Sequence, residues 1–302
     1  MFSEKNNSLI KWVLMIILSL IWGSSYILMK RGLESFPYMQ VGAIRLTISF
    51  LLLLPFAIAR LKKVKKEKLI YIAIAGLLGN GIPAYLFALA QTGIDSQIAG
   101  ILNSVAPLFT LIIGVIFFRF HTKWFNITGV LIGLSGAIGL LSVCGNKSFD
   151  FNFSFGIYVI FATLLYSINI NIVKRYLKDT DSITITSFAF IFIGVPSLIY
   201  LLSGTDFLYR LSETPQALKG LGYISVLALF GTAIAGILYN YLIKISTIIY
   251  AASITYLIPV IAVIWGIADG EKFGLSYIFW ILLIFTGVFL VNKSTFENRN
   301  KA

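Results

Sequence analysis

The chain has 302 residues, of which 58% are hydrophobic and only 12% charged, and its mean hydropathy is +0.91. A soluble protein of this length needs far more polar surface to cover its core. The composition therefore excludes a soluble fold and indicates a polytopic membrane protein.

The net charge of +12 comes from basic residues that gather between the apolar runs, as in RLKKVKKEK at residues 60–68. This placement is typical of cytoplasmic loops, and it argues against a nucleic-acid-binding surface. The single cysteine excludes an intramolecular disulfide framework. The single histidine argues against a histidine-built metal site or a histidine-dependent enzyme, so we expect no metal and no cofactor.

The apolar runs, taken in chain order, predict ten transmembrane helices of 17 to 26 residues, each long enough to cross about 30 Å of hydrocarbon. We interpret the first as an uncleaved span, because no small-residue cleavage site follows it. Helices are favoured because the runs lack the alternation of barrel strands. The predicted spans are 12–29, 38–59, 69–90, 96–118, 125–143, 155–173, 183–202, 218–243, 248–268 and 275–291.

The distribution of Lys and Arg predicts the orientation of these spans. If both termini are cytoplasmic, the inner segments hold 17 basic residues and the outer side holds six, including Lys219 at the edge of the eighth span, with Arg45 left deep inside a span. Cytoplasmic loops are the ones enriched in Lys and Arg. The pattern therefore predicts a multi-pass protein with both termini in the cytoplasm.

Two halves of the chain resemble each other. An offset of 152 residues aligns 71–119 with 223–271 without a gap and pairs Pro107 with Pro259. Each half, 1–145 and 146–302, holds five predicted spans, so the second half enters the membrane from the opposite side. The predicted fold is an all-α integral membrane protein with ten transmembrane helices in two inverted five-helix repeats, a recurrent design of secondary transporters.

Several segments carry a resemblance to a known family: IWGSSYILMKRGL, Arg45 in the second span, NSVAPLFTLIIGVIFF, TYLIPVIAVIWGIADGEKFG and TGVFLV. In this order they resemble the ten-helix transporters with two EamA-type domains of the drug/metabolite transporter superfamily. The resemblance implies a bacterial-type cytoplasmic (inner) membrane and export of amino acids or similar solutes. The family often has Gly-Glu after the fourth and ninth spans, whereas this chain has only Gly270-Glu271 and reads Arg119-Phe120-His121 in the first half.

The first span contains Trp-Gly-Ser-Ser-Tyr at mid-depth, where lipid would not favour polar groups. Trp22 and Tyr26 are four residues apart and share a helix face. Tyr166 aligns with Trp22 at an offset of 144 and is followed by Asn169. Polar groups inside a membrane usually face the bundle interior, so these residues are predicted to line a substrate cavity, with ordinary helix packing as the alternative.

Other intramembrane polar residues extend the predicted substrate site to Asn80, Tyr85, Asn103, Tyr239 and Tyr256. The fourth and ninth predicted spans, which hold Asn103 and Tyr256, contain Pro107 and Pro259, and these prolines free a backbone carbonyl and permit a kink. Such a pair of kinks would suit moving helices around a midplane site, and a static kink that improves packing is the alternative.

Arg45 is the only full charge deep inside a predicted span. Arginine can clamp a carboxylate or phosphate. It can also satisfy carbonyls of a neighbouring helix, and we favour this structural role.

The sequence is therefore interpreted as a secondary transporter that moves a small organic metabolite by alternating access. It has no phosphate-binding loop of the kind that ATP-driven pumps use, and no carboxylate at mid-membrane. A nucleotide-sugar or drug carrier is the alternative within transporters, and a membrane enzyme or scaffold is the alternative from another class. The expected partners are a solute, membrane lipids and a possible homodimer, but no nucleic acid.

Overall fold

A computed structural model describes residues 2–94, 96–144, 153–213, 215–268 and 275–297. The described residues are helical throughout, with short connections and no strand. Two π-helical segments, π1 and π2, interrupt the α-helices. In chain order the elements are α1 (Phe2–Leu33), α2 (Tyr38–Ala59), α3 (Lys66–Gly76), π1 (Leu77–Gly81), α4 (Ile82–Ala90), α5 (Ser96–Asn103), α6 (Ala106–Ile116), α7 (Trp124–Cys144), α8 (Phe153–Tyr176), α9 (Ser182–Ser203), α10 (Phe207–Glu213), α11 (Pro215–Val226), π2 (Leu227–Ile234), α12 (Ala235–Ile245), α13 (Ile248–Ala252), α14 (Ile254–Ala268) and α15 (Leu275–Glu297).

The described residues contain seven helices that are long and apolar enough to cross a membrane. These are Ser8–Leu33, Tyr38–Ala59, Lys66–Ala90, Ile98–Ile116, Ser154–Tyr176, Ser182–Ser203 and Pro215–Ile245. Three shorter apolar helices accompany them, at Trp124–Gly139, Ile248–Ile261 and Ile278–Val291. The chain is therefore an all-helical, multi-pass membrane protein. The boundary between residues 145 and 146, the Gly270-Glu271 pair and residues 298–302 lie outside the described residues.

The fourth and ninth predicted spans, which contain the repeat-related prolines Pro107 and Pro259, are interrupted at different places. The fourth predicted span is broken between α5 and α6, and Pro107 occupies the first turn of α6, where its missing N–H costs no hydrogen bond. The ninth is broken earlier than its proline, at Ser253, and Pro259 lies inside α14. Pro259 leaves the carbonyl of Thr255 without its helical donor, and the Ser104 hydroxyl donates to that carbonyl at 3.0 Å. The carbonyl that Pro259 leaves unpaired therefore accepts a hydrogen bond that connects the two interrupted spans.

Helices from the two halves of the chain pack against each other in matching pairs. Helix α1 packs on α14, α11 and α12, while α8 packs on α6, α4 and α3. Helix α2 packs along α9, and α7 packs along α15. This arrangement brings the middle of α1 and the middle of α8 to the centre of the protein.

Small residues permit the close approach of α1 to α14. A Cβ atom at Gly23 would lie 2.6 Å from Cβ of Ile261, closer than real side chains approach. Ser25 is buried and donates to the Ile21 carbonyl of its own helix at 2.7 Å. Gly23 and Ser25 therefore let helices pack closely, as transmembrane interfaces commonly require.

Candidate substrate cavity

A cavity of about 100 Å³ lies where the middles of α1, α2, π1, α8 and π2 meet. Helices α4, α5, α6, α12 and α14 complete its wall. The lining consists of aromatic rings, amides, hydroxyl groups and one guanidinium, with no acidic side chain among the residues that line it. The residues are Trp22, Ser25, Tyr26, Met29, Arg45, Gly79, Asn80, Phe87, Asn103, Ala106, Tyr166, Asn169, Ile170, Gly231, Thr232, Gly236, Tyr239, Asn240, Thr255 and Ile258.

The aromatic part of the wall contains contributions from both halves of the chain. The ring of Trp22 meets the ring of Tyr239 edge to face, with 4.8 Å between the centroids. On the other side, Phe87 lies between Tyr26, at 5.9 Å edge to face, and Tyr166, at 5.7 Å and nearly parallel. Such rings offer flat apolar faces together with hydroxyl groups that can form hydrogen bonds.

The guanidinium of Arg45 supplies the positive charge in this wall. The residue is 8% exposed, and its Nε donates to the Thr232 hydroxyl at 2.6 Å. That hydroxyl in turn donates to the carbonyl of Leu227 at 3.3 Å. Arg45 thus connects α2 to π2 and also borders the cavity, so both interpretations from the sequence are compatible with its position.

The amides of the cavity differ in how far the protein satisfies them. Asn103 accepts a hydrogen bond from the Thr163 hydroxyl at 3.1 Å, and Asn240 donates to the Thr186 hydroxyl at 3.0 Å. The buried Oδ1 of Asn169 has no hydrogen-bond partner among the described residues. The side chain of Asn80 likewise makes no hydrogen bond to the described residues. The last two amides are therefore available to a solute.

Seven of the residues that the sequence predicted as a substrate site line this one cavity: Trp22, Tyr26, Asn80, Asn103, Tyr166, Asn169 and Tyr239. Tyr85 and Tyr256 lie outside the lining. The Tyr85 hydroxyl is 3.1 Å from the Ser197 hydroxyl, and its ring packs over Gly42. Tyr256 is fully buried, packs over Gly133 and donates to the carbonyl of Val130 at 2.8 Å. The hydroxyl groups of Tyr85 and Tyr256 instead have polar partners within helix interfaces.

The sequence prediction did not include the apolar residues of the lining, which are Met29, Phe87, Ala106, Ile170 and Ile258. Apolar residues in a membrane span carry no signal of their own, because lipid-facing and interior positions are equally apolar. Helical spacing is the signal that could have found two of them. Met29 follows Trp22 by seven residues, and Phe87 follows Asn80 by seven, so each shares a face with a predicted site residue.

The wall also contains both π-helical segments. Gly79 and Asn80 belong to π1, and Gly231 and Thr232 belong to π2. π-Helical turns are rare, and they occur frequently at functional sites. In π2 the carbonyl of Gly231 accepts a hydrogen bond from Nε1 of Trp22 at 3.0 Å.

Membrane-length helices around a central cavity that combines aromatic and polar groups are the arrangement expected of a multi-pass membrane transporter. Within that class, the chain belongs to the EamA-like transporter family, whose model matches residues 10–142 and again residues 154–293. The membership confirms the resemblance that the sequence motifs indicated.

Individual relatives are also described as transporters. The chain is 29% identical over 272 residues to the uncharacterized inner membrane transporter YedA of Escherichia coli strain K12, which covers 88% of this chain and 84% of YedA. It is 23% identical over 286 residues to an uncharacterized transporter of Archaeoglobus fulgidus, covering 93% and 98% of the two chains. A crystal structure of a protein with 15% identity superposes with a TM-score of 0.71 over 96% of this chain and 98% of the other, which shows a common fold.

Proposed function

We propose that this membrane transporter is a secondary carrier that exports a small organic metabolite, such as an amino acid or a related solute, by alternating access. The observation that carries the proposal is the central cavity, whose wall combines aromatic faces with amides from both halves of the chain. Sites of this composition suit amphipathic molecules, because a few polar groups orient a solute whose apolar part contacts the rings.

Different residues of the lining would contact different parts of the solute. Trp22, Tyr166 and Tyr239 would pack on its apolar part. The amides of Asn80 and Asn169 would hydrogen-bond its polar end. The guanidinium of Arg45 makes the cavity favourable for a negative group, because no acidic residue lines it.

The size of the cavity supports a mechanism with moving helices. Small-molecule sites commonly enclose about 300–1,000 Å³, whereas this cavity measures about 100 Å³. A metabolite would enter only if the helices around it separated. The π1 and π2 segments interrupt the α-helices at this level, and we propose that they act as the hinges.

The proposed topology provides the two states that alternating access requires. Seven long and three shorter apolar helices would give ten spans in two inverted halves of five, divided near residue 145, with both termini in the cytoplasm. Exchanging the conformations of such halves converts an outward-open state into an inward-open state. Accessibility labelling of single cysteines at Lys65 and Ala302 would test the orientation, which requires both to react from the cytoplasmic side.

Transport between two compartments tests the carrier itself. Purified protein in proteoliposomes would be screened for counterflow of amino acids and related solutes, and the active solute would be measured with Trp22→Ala and Tyr166→Ala. Loss of an apolar or stacking contact of this kind costs about 1 to 3 kcal/mol, so we expect roughly 5- to 150-fold weaker apparent affinity. An enzyme would instead turn the solute over in detergent solution.

Exposed aromatic residues supply matched controls. Trp124 is 73% exposed and Tyr209 is 68% exposed, and neither borders the cavity. Trp124→Ala and Tyr209→Ala should transport as the unmodified protein does. Equal transport by all four variants would contradict the proposed site, especially if Trp22→Ala and Tyr166→Ala changed only the melting temperature.

A further inference from the structure

A second cavity, of about 360 Å³, lies at the end of the bundle that the charge pattern predicts to be cytoplasmic. Its wall is formed by Lys11 of α1, by α6, by the α6–α7 connection with His121 and Lys123 together with the first turn of α7, and by residues 245–249. No acidic side chain is among the residues that line it. The wall is therefore basic on one side, and the central cavity does not share any of its residues.

The α6–α7 connection, whose residues 120–123 line this cavity, begins with an unusual backbone conformation. Arg119 has a φ of 54°, in the left-handed region that non-glycine residues rarely adopt. The N–H of the next residue, Phe120, returns to the carbonyl of Gly114 at 2.9 Å. In the sequence alignment of the two halves, Arg119 pairs with Glu271, so the first half carries a positive charge at the position where the second half carries a negative one.

Two further features of the wall suit an anion. Helix α7 begins immediately after Lys123, so the positive end of its dipole lies beside the lysine. The buried hydroxyl of Thr122 borders the cavity and has no hydrogen-bond partner among the described residues. An anionic oxygen could accept a hydrogen bond from it.

The opposite wall of this cavity is apolar and continues onto the outer face of α6. Leu111 and Val115 line the cavity. Val115 is 42% exposed, and Ile112 and Ile116 on the same helix are 43% and 64% exposed. A small soluble anion has no apolar part to contact this wall, whereas the acyl chain of a lipid would lie along it.

We propose that this cavity binds an anionic phospholipid, with the headgroup phosphate between Lys11 and Lys123 and an acyl chain along the outer face of α6. A soluble phosphate ester shares the headgroup chemistry and is the competing occupant. Basic pockets between transmembrane helices suit anionic headgroups, and each lysine near such a headgroup contributes about 1 kcal/mol.

Lipid titration of the purified full-length protein in neutral detergent tests the proposal. Phosphatidylglycerol and phosphatidylcholine would be added separately, and bound lipid would be counted by native mass spectrometry. We expect preferential binding of phosphatidylglycerol. Lys11→Gln and Lys123→Gln should each lower its affinity about 5-fold, and the double variant on the order of 20-fold.

The exposed residues Lys62 and Lys63 provide a control with the same change in charge. Lys62→Gln with Lys63→Gln should leave the affinity within about 2-fold, because neither lysine lines the cavity. Equal losses of phosphatidylglycerol affinity in the two double variants would overturn the proposed site, because they would show general attraction between positive charge and anionic lipid. Val115→Trp should weaken phosphatidylglycerol binding without a change in charge, and unaltered binding would overturn the acyl-chain contact. Saturation of the site by glycerol 1-phosphate at the same concentration would identify a soluble anion and overturn the lipid.

Discussion

The two π-helical segments occupy corresponding positions in the two halves of the chain, but the protein uses them differently. The offset of 152 residues pairs Gly79-Asn80 of π1 with Gly231-Thr232 of π2. In π2, three side chains from α1 and α2 hold the segment: Trp22 at the Gly231 carbonyl, Ser49 at the Ala228 carbonyl and Arg45 at the Thr232 hydroxyl. In π1, the Asn80 side chain has no such bond within the described residues.

A similar backbone conformation therefore serves two purposes at one site. The polar groups of π2 are satisfied by the protein, so they fix the shape of the cavity. The amide of Asn80 in π1 remains available to a solute, as does the buried Oδ1 of Asn169, whose side chain packs against Gly79. We therefore expect loss of the hydrogen bonds that hold π2 to act mainly on stability and loss of the Asn80 amide in π1 to act mainly on transport.

The largest expected loss of stability follows from Arg45→Ala. The change removes the charge-assisted bond to Thr232, and hydrogen bonds to charged groups contribute about 1.5 to 3 kcal/mol. We expect the free energy of unfolding to fall by about that amount, measured by thermal melting in detergent. Arg45→Lys keeps the charge and should recover part of the loss. A well-folded Arg45→Ala protein that lost only the transport of anionic solutes would instead assign Arg45 to the solute.

Trp22→Phe tests the second contact with π2 while it keeps an aromatic ring at the cavity. Its Nε1 donates to the Gly231 carbonyl, and the loss of one such bond costs about 1 kcal/mol. The matched control is Trp265→Phe. In the unmodified protein, Nε1 of Trp265 donates to the Ser24 hydroxyl at 3.0 Å on an exposed surface. The control should change stability by less than about 0.5 kcal/mol. Equal shifts in the two melting temperatures would show that the bond to π2 has no special role.

Ser49→Ala removes the third contact with π2 and should have a smaller effect. The buried hydroxyl donates to the Ala228 carbonyl at 3.0 Å, and we expect a loss of about 0.5 to 1 kcal/mol. Ser135 also donates to a carbonyl, but within its own helix, at Leu131. Ser135→Ala should therefore melt at nearly the same temperature as the unmodified protein. If both serine variants melted alike, the contact between α2 and π2 would not contribute to stability.

The helices could be predicted from the sequence because membrane hydrocarbon imposes long apolar runs. The second predicted span, 38–59, has the same bounds as α2, and the other predicted spans overlap observed helices. The π segments could not be predicted, since a wider helical turn changes which face each residue occupies but leaves the run of apolar residues unbroken. Proline predicts a distortion near Pro259, whereas the helix breaks at Ser253 and Pro259 lies within α14.

The candidate site could be predicted only in part, for a related reason. Intramembrane polarity indicates which residues avoid lipid, but it does not distinguish a cavity from a helix interface. Trp22 and Tyr166 line the cavity. Tyr85 and Tyr256, equally polar, reach Ser197 and Val130 across helix contacts. The partner of each hydroxyl depends on helix rotation, which a single sequence does not fix.

The smallest expected effect on stability belongs to Asn80→Ala, which tests the difference between π1 and π2 directly. Because the Asn80 amide makes no bond to the described residues, its removal should change the free energy of unfolding by less than about 0.5 kcal/mol. Its loss of a hydrogen bond to a neutral solute group should weaken apparent affinity roughly 2- to 10-fold. Thr232→Ala is the matched variant at the corresponding position of π2, where the hydroxyl accepts from Arg45. That variant should lower the melting temperature. The measurement is transport beside a melting curve for both variants, and a fall in melting temperature that is equal in the two would mean that π1 and π2 serve the same structural purpose.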